Sequence, residues 1–129
     1  MINCTIIGVG QVGSRHLQAL SNLKTPTRID LVDPSDKSLQ IARGRYEEVT
    51  SINKKHIKLF CHNDLANLPN KLDLVIASTD STVREKVVKE VVKRNSVKNL
   101  ILEKVLFQRS NQYAEVDRLL KKLSVPTWV

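Results

Sequence analysis

Apolar, β-branched runs separated by helical stripes set the strongest limit on how this chain can fold. The runs are Ile2–Ile7, Ile29–Val32, Ile57–Cys61, Leu72–Ala77, Leu100–Leu102 and Val125–Val129, each of a length and content that suits a buried strand. Between them, apolar residues recur at helical spacing. Leu17, Leu20 and Leu23 form one stripe; Leu39, Ala42, Tyr46 and Val49 a second; Val83, Val87, Val88, Val91 and Val92 a third; and Tyr113, Val116, Leu119, Leu120 and Leu123 a fourth. Strands that alternate with helices pair in parallel, and right-handed crossovers then cover both faces of the sheet. The expectation is a doubly wound α/β domain with a six-stranded parallel sheet of order 3-2-1-4-5-6 and helices on both faces.

At 129 residues with 41% hydrophobic content, the chain suits one compact domain, residues 1–129, that needs neither disulfide nor metal to fold. Its two cysteines, Cys4 and Cys61, fall on the first and third strands. With the second strand between them they should lie roughly 9 to 10 Å apart, beyond disulfide reach. No signal-peptide pattern follows Met1 and no apolar run reaches bilayer length, so the expected location is the cytoplasm, without membrane contact.

The net charge is +8. Most of the excess, including Arg84, Lys86, Lys89, Lys93, Arg94, Lys121 and Lys122, falls on the outward faces of the helical stripes and reads as solvated surface. With aromatics at 4% there is no stacking platform for bases, which argues against nucleic acid as a partner. His16, His56 and His62 have no metal spacing with the cysteines, so no metal site is expected. Gly-x-Ser-x-Gly and the phosphate-loop Gly-Lys-Ser/Thr are both missing, against serine hydrolases and NTPases.

The first strand runs directly into Gly8-Val9-Gly10-Gln11-Val12-Gly13, which opens the first helix. Gly8 permits the tight turn, Gly10 lets backbone N–H groups approach a pyrophosphate, and Gly13 lets helix and strand pack closely. The helix N-terminus adds partial positive charge. Asp33 ends the second strand 20 residues beyond Gly13, where a carboxylate accepts hydrogen bonds from the adenosine ribose hydroxyls. The same charge repels a 2′-phosphate, and Pro34-Ser35 offers no arginine to offset it, so NAD is expected over NADP.

Three segments together resemble the glucose-fructose oxidoreductase/inositol dehydrogenase (Gfo/Idh/MocA) family. Gly8 to His16 is similar to its G-x-G-x-x-G-x-x-H opening; Leu74-Val75-Ile76-Ala77-Ser78-Thr79 is similar to the strand entering a Thr-Pro-Asn-like turn; Leu100-Ile101-Leu102-Glu103-Lys104 is similar to the strand ending in Glu-Lys-Pro. The resemblance spans the chain and implies the family's NAD(P)-binding Rossmann domain, with redox chemistry on sugars, cyclitols or nucleotide sugars. It implies a cofactor site drawn from Gly8, Gly10, Gln11, Val12, Gly13, Asp33, Ser78, Thr79, Ser81 and Glu103, with Thr79 and Ser81 on the nicotinamide-ribose side. It assigns Lys104 the catalytic position.

This chain departs from the pattern at Asp80 for proline, Ser81 for asparagine and Val105 for the proline of Glu-Lys-Pro. Asp80 or Ser81 can equally cap the next helix, with Thr82-x-x-Glu85 as a capping box. His16 reads as a packed or capping side chain rather than a base. The substrate domain of the family is absent from these 129 residues, so the expectation is NAD binding with little or no turnover alone, the missing domain or a partner chain supplying the substrate pocket. The alternative is a stand-alone NAD-sensing or regulatory module whose partner docks on the sixth strand and Trp128. A reading frame running past Val129 discriminates the two. An S-adenosylmethionine-dependent transferase shares the glycine loop and the carboxylate, but the full three-glycine pattern favours a dinucleotide.

Overall fold

A computed structural model describes all of residues 1–129. Strand β1 (Ile2–Ile7) leads through a short turn into α1 (Gln11–Leu20), and β2 (Thr27–Val32) leads likewise into α2 (Asp36–Glu48). A 3-10 turn at Ile52–His56 feeds β3 (Ile57–His62). The remainder supplies β4 (Lys71–Leu72), β5 (Leu74–Ala77), α3 (Arg84–Arg94), β6 (Ser96–Val97), β7 (Leu100–Leu102), α4 (Ser110–Lys122) and β8 (Thr127–Trp128). The main sheet is parallel, in the order β3-β2-β1-β5-β7-β8. Counted over its own six strands this is 3-2-1-4-5-6, the expected order.

Alternation along each strand divides the core into two layers. Cys4, Ile6, Ile29, Leu31 and Ile76 pack against Leu17 of α1 and Leu39, Ala42 and Tyr46 of α2. On the other face, Ile7, Val32, Val75, Leu100 and Leu102 meet Val88, Val91 and Val92 of α3 and Val116 and Leu120 of α4. Each fully buried aliphatic side chain of this kind contributes about 1.5–3 kcal/mol. No helix is long and apolar enough to cross a membrane.

The structure corrects the sequence reading at several points. The expected strand Leu72–Ala77 breaks at Asp73, whose N–H donates to the Asn3 carbonyl at 2.8 Å while its carboxylate accepts the Asn3 N–H at 2.9 Å. Leu72 therefore joins β6 in a separate two-stranded ladder. The last strand is only Thr127–Trp128, and Val125 packs in the core ahead of it. Leu23 lies beyond the end of α1, and Val83, Tyr113 and Leu123 are exposed at helix ends. Arg84 is buried, not solvated.

The Thr82-x-x-Glu85 capping box does not form. Asp80 Oδ1 accepts the Thr82 N–H at 2.9 Å and also the Thr82 hydroxyl, and these bonds hold the Asp80 carboxyl below its usual range. Glu85 is turned to Lys89 Nζ at 2.6 Å within α3 and to Gln112 Nε2 at 2.5 Å, the bond that ties α3 to α4.

Charge also enters the sheet. Asp30 on β2 is fully buried; it accepts Arg28 Nε and Nη2, each at 2.8 Å, and Oδ1 lies 2.7 Å from His62 Nε2. The paired donors replace the water that the carboxylate gives up. Arg28 also stacks over the Phe60 ring, 4.2 Å from its centroid.

Both cysteines are free thiols, with β2 lying between their strands. Cys4 is 2% exposed, and burial, helped by the Asp73 charge, pushes its thiol up to about 11. Because the thiolate is the reactive form, a disulfide reagent at neutral pH should titrate the exposed Cys61 at once and Cys4 only after unfolding. Two fast equivalents on the native chain would contradict this burial.

Candidate functional site

The crevice opens at the C-terminal ends of the strands where the sheet order reverses, between β1 and β5, as doubly wound folds lead one to expect. Gly8 leaves β1 with φ +85°, a conformation that side chains with a Cβ resist. Its N–H donates to the Val32 carbonyl at 2.8 Å. A Cβ there would sit 2.7 Å from the Thr79 nitrogen, so the glycine turn and the turn after β5 are in backbone contact. Gly13 lies over Gly8: a Cβ on Gly13 would come to 2.0 Å from the Gly8 carbonyl oxygen. Gly10 is the opposite case, with no atom within 4 Å of a Cβ position.

Asp33 closes this arrangement. Its Oδ2 accepts the Val9 N–H at 3.0 Å and its Oδ1 accepts the Ser35 N–H at 2.9 Å. The carboxylate that spacing linked to the glycine motif is thus hydrogen-bonded to it, and its remaining lone pairs are free for two more donors. Asn63, just past β3, donates to the Asp33 carbonyl at 3.3 Å and to Asp36 Oδ1 at 2.7 Å, bracing the loop from the other side.

These groups border a cleft of about 530 Å³ that brings together Gly8, Gly10, Asp33, Ser78 and Thr79. Asn63, Asp64 and Leu65 complete one wall, and Lys86, Val87 and Glu90 of α3 another. Sequence reasoning missed both walls. Asn63 was open to inference as the first residue past a parallel strand beside the reversal point; the α3 residues carried no such signal.

The other expected residues stand around the cleft. Gln11 and Val12 occupy the exposed first turn of α1, and Gly13 is buried beneath it. Ser81 lies in the turn before α3, outside the cleft lining. Glu103 and Lys104 follow β7. Glu103 Oε1 meets His16 Nε2 at 2.5 Å, both half-buried, so His16 is a packed hydrogen-bonding partner that joins α1 to the end of β7. Lys104 is exposed, and the Lys104–Val105 peptide bond is cis.

The residues fit a dinucleotide. No side chain caps α1 at Gly10, so its first-turn N–H groups face open space that a pyrophosphate would fill. The Ser78 and Thr79 hydroxyls, beside the cleft, have no hydrogen-bond partner within the chain.

The family model described as "Oxidoreductase family, NAD-binding Rossmann fold" (GFO_IDH_MocA) matches residues 2–129. The chain belongs to the Gfo/Idh/MocA oxidoreductase family. Within that family it is an NAD-binding Rossmann domain. Its fold is similar to the WlbA dehydrogenase of Chromobacterium violaceum, solved in complex with NADH and UDP-GlcNAcA (TM-score 0.77, 19% identity, 99% of this chain and 34% of that one). It is similar also to a Gfo/Idh/MocA family oxidoreductase from Vibrio cholerae (TM-score 0.74, 15% identity, 100% of this chain and 38% of that one). A third similar structure is scyllo-inositol dehydrogenase from Lactobacillus casei with NAD(H) and scyllo-inositol (TM-score 0.68, 11% identity, 98% of this chain and 36% of that one). The chain therefore spans little more than a third of the length of these structures. Comparison with curated protein sequences gives no match.

Proposed function

We propose that this chain is the cofactor-binding part of a cytoplasmic NAD-dependent oxidoreductase that moves hydride between nicotinamide and a sugar, cyclitol or nucleotide-sugar substrate. The observation that carries the cofactor reading is the Val9–Asp33 bond, which fixes a ribose-seeking carboxylate to an open glycine turn. In this reading the N–H groups of Gly10, Gln11 and Val12 hold the pyrophosphate and Asp33 takes the adenosine ribose. Ser78 and Thr79 stand on the nicotinamide-ribose side, with Ser81 in the adjoining turn before α3. Glu103, held by His16, anchors the end of β7.

When bound, NAD supplies the hydride acceptor. Lys104 then holds a proton beside the substrate oxygen, the one candidate acid or base that the resemblance assigns to this chain. Turnover also requires a carbonyl or alcohol seated near the nicotinamide, and the substrate-seating groups come from the two-thirds of the relatives that this chain does not match. The substrate class rests on the family resemblance and on the UDP-GlcNAcA and scyllo-inositol bound to the two relatives. Alone, the chain binds NAD and turns over weakly or not at all.

Calorimetric titration with NAD, NADP and S-adenosylmethionine at one fixed salt concentration tests the reading. NAD should bind in preference to both. Asp33→Ala should weaken NAD by about 10- to 100-fold, the loss of one or two charge-assisted hydrogen bonds, and narrow the preference over NADP. Asp33→Asn keeps an acceptor for Val9 and separates charge from folding. Equal binding of NAD and NADP, or an Asp33→Ala chain that binds NAD normally, would reject it.

A further inference from the structure

The turn after β5 and the turn after β7 carry Thr79 and Lys104, and one side chain joins them. Arg84, at the start of α3, is 2% exposed. Its Nη1 donates to the Glu103 carbonyl at 2.5 Å, to the Val105 carbonyl, and to the Leu106 carbonyl at 3.2 Å; its Nη2 donates to the Thr79 carbonyl. All of these carbonyls lie outside the sheet ladder.

Burying a guanidinium is costly unless its N–H groups are engaged; here both Nη groups are engaged and Nε alone has no partner. Burial pulls its pKa below the ordinary value, with Glu103 and Asp80 partly offsetting the effect, and no carboxylate forms an ion pair with it. What it gains is backbone: a planar fork of N–H donors can reach several carbonyls at once, which a compact lysine ammonium on a flexible stem does not reproduce. The two carbonyls flanking Lys104, those of Glu103 and Val105, both bond the same Nη1. The Glu103 carboxylate is meanwhile held by His16 on α1. The backbone at Lys104 is therefore pinned from α1 and from α3.

We propose that Arg84 is a positioning residue: its guanidinium locks the backbone on both sides of Lys104 to that of Thr79, and so preorganises the nicotinamide half of the cleft. This rests on the dinucleotide reading above for its functional meaning. The adenosine half is built independently, from Asp33, Val9 and Asn63, with no bond to Arg84. The clamp should therefore matter to one end of the cofactor and not to the other.

The test compares the full chain with Arg84→Lys and Arg84→Gln, titrated with NAD and with ADP, which lacks the nicotinamide end. Amide hydrogen exchange is read over residues 79–82 and 103–107. Arg84→Lys should weaken NAD about tenfold or more, as loss of preorganisation does, and leave ADP within about twofold. Exchange in the two turns should rise at least about tenfold, with β1 and β2 unchanged. Equal loss for NAD and ADP, loss for neither, or unchanged exchange overturns the proposal. A wild-type chain that binds neither ligand overturns the dinucleotide reading instead, and the exchange rates of the turns then decide the clamp. Arg84→Ala strands four carbonyls and can unfold the chain, so the lysine variant decides.

Discussion

Gly13→Ala should destabilise the domain by about 3 kcal/mol or more and lower its Tm by about 10 °C or more, the scale of a core overpacking that has no flexible neighbour to yield. The added methyl carbon would be placed 2.0 Å from the Gly8 carbonyl oxygen. Neither side can give. Gly13 is fixed in the first turn of α1, and Gly8 is fixed by its bond to Val32 and by contact with Thr79. Relief requires α1 to lift from β1, which opens the layer where Leu17 packs against Ile6 and Ile29. Gly44 provides the opposite sign in the same experiment. It sits inside α2 with no atom within 4 Å of a Cβ position, so Gly44→Ala should stabilise by about 0.5–1 kcal/mol through helix propensity. Urea unfolding of the two variants reads both. A Gly13→Ala chain within about 1 kcal/mol of wild type would mean that the α1–β1 contact is looser than the backbone indicates.

The sheet was legible because its signal is periodic: six apolar runs and four helical stripes leave few ways to bury both faces. Spacing also placed Asp33 against the glycine turn. What spacing does not carry is a single residue that turns against its element. Asp73 ends β4 and starts β5 because its carboxylate and N–H are both engaged by Asn3, an interaction across 70 residues of sequence. Arg84 looked solvated because of its charge, although it shares the buried face of α3 with Val88 and Val91, and the carbonyls it serves lie on turns brought together only when β5 and β7 pair. Asp80 and Glu85 each had a local capping role available, but Glu85 found Gln112 on α4 instead. Long-range polar partners overrode local rules at Asp73, Arg84 and Glu85, while Asp80 kept a local bond to Thr82.

Gly10→Glu isolates the cleft from the fold. Gly10 is the exposed N-cap of α1, with a negative φ of −64°, and the space beyond it is open. The β-carbon of a glutamate there meets no atom of the chain within 4 Å, and its charge is favourable beside the positive end of a helix. The variant should therefore keep its Tm within about 2–3 °C of wild type, a change worth well under 1 kcal/mol. Cofactor binding should respond in the opposite way. The new side chain would occupy the volume where the first-turn N–H groups await a pyrophosphate, and its carboxylate would stand against phosphate oxygens of the same sign. Like charges set together at an interface cost several kcal/mol, so NAD affinity should fall by at least about 100-fold, or roughly 2.7 kcal/mol. Gly10→Ala, which adds bulk without charge, should lose less. Thermal melts alongside NAD titrations make the comparison. A Gly10→Glu chain that binds NAD as tightly as wild type would remove the pyrophosphate from the glycine turn, and with it the physical reason for the cleft's position between β1 and β5.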